Sequence, residues 1–142
     1  MVLFESGMLI IGNKIMSTII NDTSNKAVSV IETAIVHEHT DVHQLFIELD
    51  LEVRLAVIES LIRSVNTEDD AVKLCIKALY DVITELNSNM KSIEETINEH
   101  KEKYLSSWRT LNLDDNIIRI KHNSELLEKR FTLFTDVSTF HN

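Results

Sequence analysis

Apolar positions recur in an unbroken four-three alternation through the second half of the chain: Val72, Ile76, Leu79, Ile83, Leu86, Met90, Ile93 and Ile97, closed by His100 and Tyr104. Steps of four and three residues keep these side chains on one seam of a single long helix. A second series, Leu113, Ile117, Ile120, Ser124, Leu127, Phe131 and Phe134, follows after a short connection at 106–111. The pair predicts a long antiparallel two-helix coiled-coil hairpin over 67–140. With the turn centred near Arg109, Ile117 faces His100, Ile120 faces Ile97, Leu127 faces Met90, Phe131 faces Leu86 and Phe134 faces Ile83. The last helix then runs out near Ala78. The turns at 71–75 are left to pack on a helical base, so the hairpin is expected to protrude as a stalk.

Polar punctuation sets the helix starts. Thr67-Glu68-Asp69-Asp70 offers Thr67 as a cap, with three acids at the positive end of the helix dipole. Asn112-Leu113-Asp114-Asp115 repeats the signal, which places the last helix from about Leu113 to about Ser138. Upstream, Ala27, Val28, Ile31, Ala34 and Ile35 recur at helical spacing while Val30 and Val36 fall off that face, the pattern of a central, buried helix. The polar run 21–25 is expected to break the chain before it, with several N-cap candidates. Thr40-Asp41 is expected to cap the next helix.

Residues 47–55 alternate strictly between apolar and polar, a strand signal. Leu51, Leu55, Ile58, Leu61, Ile62 and Val65 match helical spacing over a longer window, with no Gly or Pro to interrupt them. The longer match predicts helix, with a break near Asp50. Residues 1–20 differ: Val2-Leu3-Phe4 and Met8-Leu9-Ile10-Ile11 flank Glu5-Ser6-Gly7, and Gly12-Asn13 follows. Short apolar runs bounded by Gly predict a β-hairpin, with Ile15–Ile20 as a third strand or a helix start. Two strands alone are marginal in water, so this segment is expected to pack on the helices or pair with another chain.

Composition supports an all-α single domain, 1–142, made of the apolar segment 1–20, a helical base at 26–66 and the hairpin at 67–140. Proline is absent, and the two glycines both lie in the first twelve residues. Helix breakers are therefore missing from the body of the chain. The 44% hydrophobic content suffices for a real core. The formal net charge of -9 disfavours nucleic acid and anionic membrane surfaces as partners. No stretch is long and apolar enough for a membrane span, and no signal peptide is expected, since Glu5 interrupts the first apolar run. A single cysteine, Cys75, excludes an intrachain disulfide and fits a reducing, intracellular or cytoplasmic setting, virion-associated proteins included.

Candidate chemistry is confined to His37-Glu38-His39-Thr40-Asp41-Val42-His43. Its His-x-His-x-Asp core, after apolar Ala34-Ile35-Val36, resembles the zinc-binding strand-to-loop motif of metallo-β-lactamase-fold hydrolases. In that family a histidine follows the aspartate directly, whereas here Val42 intervenes. The family fold is also a far larger Gly-rich αβ/βα sandwich. A simpler reading uses His37, His39, Asp41 and His43 as ligands for a divalent zinc or nickel ion, with His39 and His43 one turn apart on a helix. Against it stands a solvated interhelix turn. His100 is read as a polar seam residue that fixes register, and Cys75 as a core thiol. No cofactor motif and no catalytic set is found.

The expected function is therefore that of a non-enzymatic protein–protein interaction or assembly module. It binds a protein partner or further copies of itself, in keeping with a viral or phage structural or accessory role. The interaction candidates are Trp108 and Arg109 in the hairpin loop and Leu3, Phe4, Ile10 and Ile11 in the apolar segment. The alternatives are a metal-binding regulatory domain using His37, His39 and His43, and an acidic inhibitor of a basic partner.

Overall fold

The protein is described here by a computed structural model. It describes residues 11–65, 67–104 and 111–141, by backbone alone at 102–104, 140 and 141. Five helices fill these residues: α1 (Asn13–Val36), α2 (Thr40–Leu49), α3 (Leu51–Ser64), α4 (Asp70–Tyr104) and α5 (Asp114–His141). The expected β-hairpin at 1–10 lies outside the described residues. At Ile15–Ile20 the helix alternative holds, since all six residues belong to α1.

The 35-residue α4 is the central element, packed along one side by α1 and along another by α5. Its seam is sealed: Val72, Leu79, Ile83, Leu86, Met90 and Ile93 are fully buried, and Ile76 and Ile97 nearly so. Cys75 and Val82 are buried beside the seam. A stripe wider than a two-stranded seam is what a helix needs when neighbours cover it from two directions. The protruding stalk is thus replaced by an all-α bundle, because α1 covers the flank of α4 that a free hairpin would leave to water.

Named contacts fix the helix directions. Asn87 donates to the Thr23 hydroxyl at 3.0 Å, and Glu94 further along α4 meets Lys26, Ser29 and Thr33 further along α1, so α1 and α4 run parallel. Arg63 near the end of α3 donates to Ser17 near the start of α1 at 3.3 Å, while Leu51 at the start of α3 lies beside Ala27 and Ile31. The α2–α3 pair therefore returns antiparallel along α1. Asn89 donates to Asn123 at 2.5 Å, and Arg130 donates to the Ala78 carbonyl at 2.7 Å, which makes α5 antiparallel to α4. Against the expected register, in which Leu86 faces Phe131, the Asn89–Asn123 contact is displaced by about one and a half turns and the Arg130–Ala78 contact by about two and a half. Polar ties between the helices, invisible to an apolar layer count, select the observed alignment. Arg54 closes the bundle on its last side, donating to the Ser124 hydroxyl at 2.7 Å and its carbonyl at 3.2 Å.

Helix ends follow local chemistry. The polar run 21–25 does not break α1. Asn21, Asp22 and Asn25 face solvent, and the buried Thr23 is satisfied by Asn87. Tertiary burial of the flanking apolar face outweighs weak local propensity there. α1 ends in a Schellman motif, with Glu38 left-handed at φ 58°, the His39 amide donating to the Ala34 carbonyl (2.8 Å) and the Glu38 amide to Ile35 (3.2 Å). Asp50 is left-handed at φ 48°, ends α2 and starts α3, which is the expected break. Asp69, not Thr67, caps α4: its Oδ1 accepts from the amides of Ala71 and Val72 at 2.8 and 3.1 Å.

Candidate functional site

The ligand-dense stretch folds as a helix-to-helix turn, not as a strand and loop. Ala34-Ile35-Val36 is the last turn of α1, His37 its C-cap, and His39 the residue from which α2 starts. Burial pushes the His39 imidazole below its ordinary value of 6.5, and the neighbouring His37 and His100 push the same way against Asp41. His100, far off in sequence, is therefore part of the electrostatic surroundings of this turn, because the parallel course of α1 brings its C-terminal end to that of α4. Among the described residues, no three histidine, cysteine, aspartate or glutamate side chains are grouped so as to hold a metal ion. Cys75 is buried, and burial raises its thiol.

The acidic pair Glu94-Glu95 reads from the sequence as a solvated face, yet Glu94 is turned into the bundle and organises the α1–α4 interface. Lys26 donates to its Oε1 at 3.0 Å, Ser29 donates to Oε2, and Thr33 lies 3.4 Å from the same oxygen. Burial pushes the carboxyl up, but these hydroxyls and the ammonium together outweigh it and hold the group below the usual glutamate value. The signal was present as a polar stripe, Lys26, Ser29 and Thr33 at helical spacing, on a helix read as apolar over much of its circumference. The arrangement is a structural clamp, since every oxygen of the carboxylate already has a partner within the bundle.

Of the sequence-derived interaction candidates, Leu3, Phe4, Ile10, Trp108 and Arg109 lie outside the described residues. Ile11 is half-buried and packs against the core at the start of α1. The described surface shows a different concentration. Nine large apolar side chains are exposed, and five of them fall between 35 and 57: Ile35, Val36, Ile47, Val53 and Val57. They occupy the end of α1 and the outer sides of α2 and α3. Val53 and Val57 stand one turn apart on one face of α3. Beside them a groove of about 250 Å³ opens between α1 and the α2–α3 break, lined by Ala27, Ile31, Phe46, Ile47, Asp50, Leu51 and Glu52. The left-handed Asp50, which joins α2 to α3, sits in its wall.

The fold defines a class: an all-α bundle of packed helices, with several large apolar side chains of α1, α2 and α3 left exposed. The chain is similar to the uncharacterized protein L717 of Acanthamoeba polyphaga mimivirus, at 21% identity over 151 aligned residues that cover 85% of this chain and 73% of the viral one. No family model matches the chain, and no solved structure matches it. No helix among the described residues is long and apolar enough to cross a membrane.

Proposed function

We propose that this protein is a non-enzymatic helical module that works by protein–protein association, in a structural or accessory role of the kind large DNA viruses use. The carrying observation is that five of the nine exposed large apolar side chains among the described residues, Ile35, Val36, Ile47, Val53 and Val57, fall within residues 35–57 of α1, α2 and α3. Scattered apolar side chains are ordinary on a protein surface, whereas a concentration of them marks a surface kept for a partner. The mimivirus relative supports the viral setting. The acidic balance of the chain favours partners without a phosphate backbone.

Substitution tests the reading without touching the core. Val53→Asp and Val57→Asp are exposed changes on α3, expected to move stability by no more than about 0.5 kcal/mol. In sedimentation velocity on material from the native source, the wild-type chain is expected in a larger assembly, which the double substitution dissolves. An unaltered assembly, with unaltered helix content, would remove this face from the function.

A further inference from the structure

The groove at the α2–α3 break is chemically two-sided. Its floor is apolar, with Ile31 half-buried and Phe46 and Leu51 fully buried, and Ile47 stands on its edge 53% exposed. The apolar surface continues along α1 to Ile35, one turn beyond Ile31 and also 53% exposed. The wall is also anionic, because Asp50 and Glu52 both line the groove and both face solvent. Asp50 starts α3 without a side-chain cap, so its carboxylate is not committed to the helix end.

The cations closest in sequence to these walls are turned elsewhere. Lys26, beside Ala27, is bound to Glu94 on α4. Arg54, two residues after Glu52, reaches inward to Ser124 and the Leu49 carbonyl. Among the described residues no ion pair neutralises Asp50 or Glu52. The stretch from Leu51 to Ile35 is therefore an apolar trough about two helical turns long with uncompensated negative charge in its wall.

Resting on the association reading above, we propose that this groove takes a short cationic amphipathic helix of a partner protein. Leucine-like side chains of that helix lie over Ile31, Ile35 and Ile47, with a Lys or Arg over Asp50 and Glu52. Helix-in-groove docking reads apolar anchors at i, i+4 and i+7, which is the span this trough offers. Charge selects the occupant. A nucleic acid would set phosphates against the two carboxylates, and a second copy of this chain would bring a net charge of -9 against its own kind.

The probe is a labelled, end-capped helical peptide with leucines at i, i+4 and i+7 and lysines at one end, titrated against the full chain by fluorescence anisotropy. Asp50→Asn with Glu52→Gln keeps the left-handed turn, since Asn tolerates it, and removes both charges. Ile47→Ser removes the exposed anchor. Each is expected to weaken the peptide by about fivefold or more, and amide shifts in the NMR spectrum should map to 27–35 and 46–52. Glu85→Gln with Glu95→Gln, two exposed carboxylates on α4, is the charge-matched control and should change affinity by less than about twofold. Equal weakening by the control would reduce the attraction to diffuse charge and overturn the proposal. So would a peptide that fails to bind. If Val53→Asp/Val57→Asp still dissolves the native assembly in that case, association through the α3 face survives and only the groove assignment falls.

Discussion

At the scale of single residues, the bundle depends on a few polar groups placed where an apolar count expects none. Glu94 is the clearest. Its carboxyl is held below the ordinary glutamate value by the Ser29 and Thr33 hydroxyls and Lys26, so the folded state favours its ionised form more than the unfolded chain does. That contribution is fully present above the unfolded value of 4.5 and is lost as pH falls through the folded one. His39 acts in the same direction. Its folded value lies below 6.5, so the unfolded chain binds the proton more readily and stability declines as pH falls below that range. Urea denaturation across pH is expected to show a first loss below about 6.5, flattened by His39→Gln, and a second below about 4.5, absent in Glu94→Gln. Glu94→Gln itself should cost roughly 1–3 kcal/mol at neutral pH. Glu38 presents the opposite case, a β-carbon-bearing residue held left-handed at φ 58°. Glu38→Gly should stabilise the protein by roughly 1 kcal/mol in the same assay, because glycine adopts that conformation without steric penalty.

At the scale of helices, the seam of α4 was legible because burial and helical spacing agree over seven consecutive steps, from Val72 to Ile97, with the half-buried His100 one step further. Leu86→Ala, at a fully buried seam position, is expected to cost roughly 2–5 kcal/mol. The partner of that seam was not legible. An apolar series shows which face is buried, not against how many helices, and α1 competes with α5 for the same element. Register failed for a related reason. Several offsets satisfy an apolar layer match, and the choice between them rests on Asn89 with Asn123 and Arg130 with the Ala78 carbonyl. Cysteines at 89 and 123, with Cys75→Ser, should therefore oxidise within one chain, whereas cysteines at 86 and 131 should stay reduced under the same dilute conditions. The reverse outcome would restore the sequence-derived register. Asp50 shows the sequence speaking more plainly: an acidic residue inside two helical series, where only a turn lets both apolar faces point inward.

At the scale of the whole molecule, the proposed partner surface runs from the end of α1 across α2 and α3. The candidates that sequence alone nominated drew notice through apolar density, around Leu3 and Phe4, and through the pairing of Trp108 with Arg109, residue types common at interface hot spots. Ile35, Val36, Ile47, Val53 and Val57 lie on three different helices, and their shared exposure is read only from the folded chain. Photo-crosslinking in the native source measures this claim most directly, with a photoreactive residue placed singly at 47, 53, 74 or 133. All four positions are exposed apolar sites of similar accessibility, so the comparison holds side-chain exposure nearly constant. The account predicts discrete protein adducts at 47 and 53 and none at 74 and 133. Adducts confined to 74 and 133, or equal at all four positions, would contradict it.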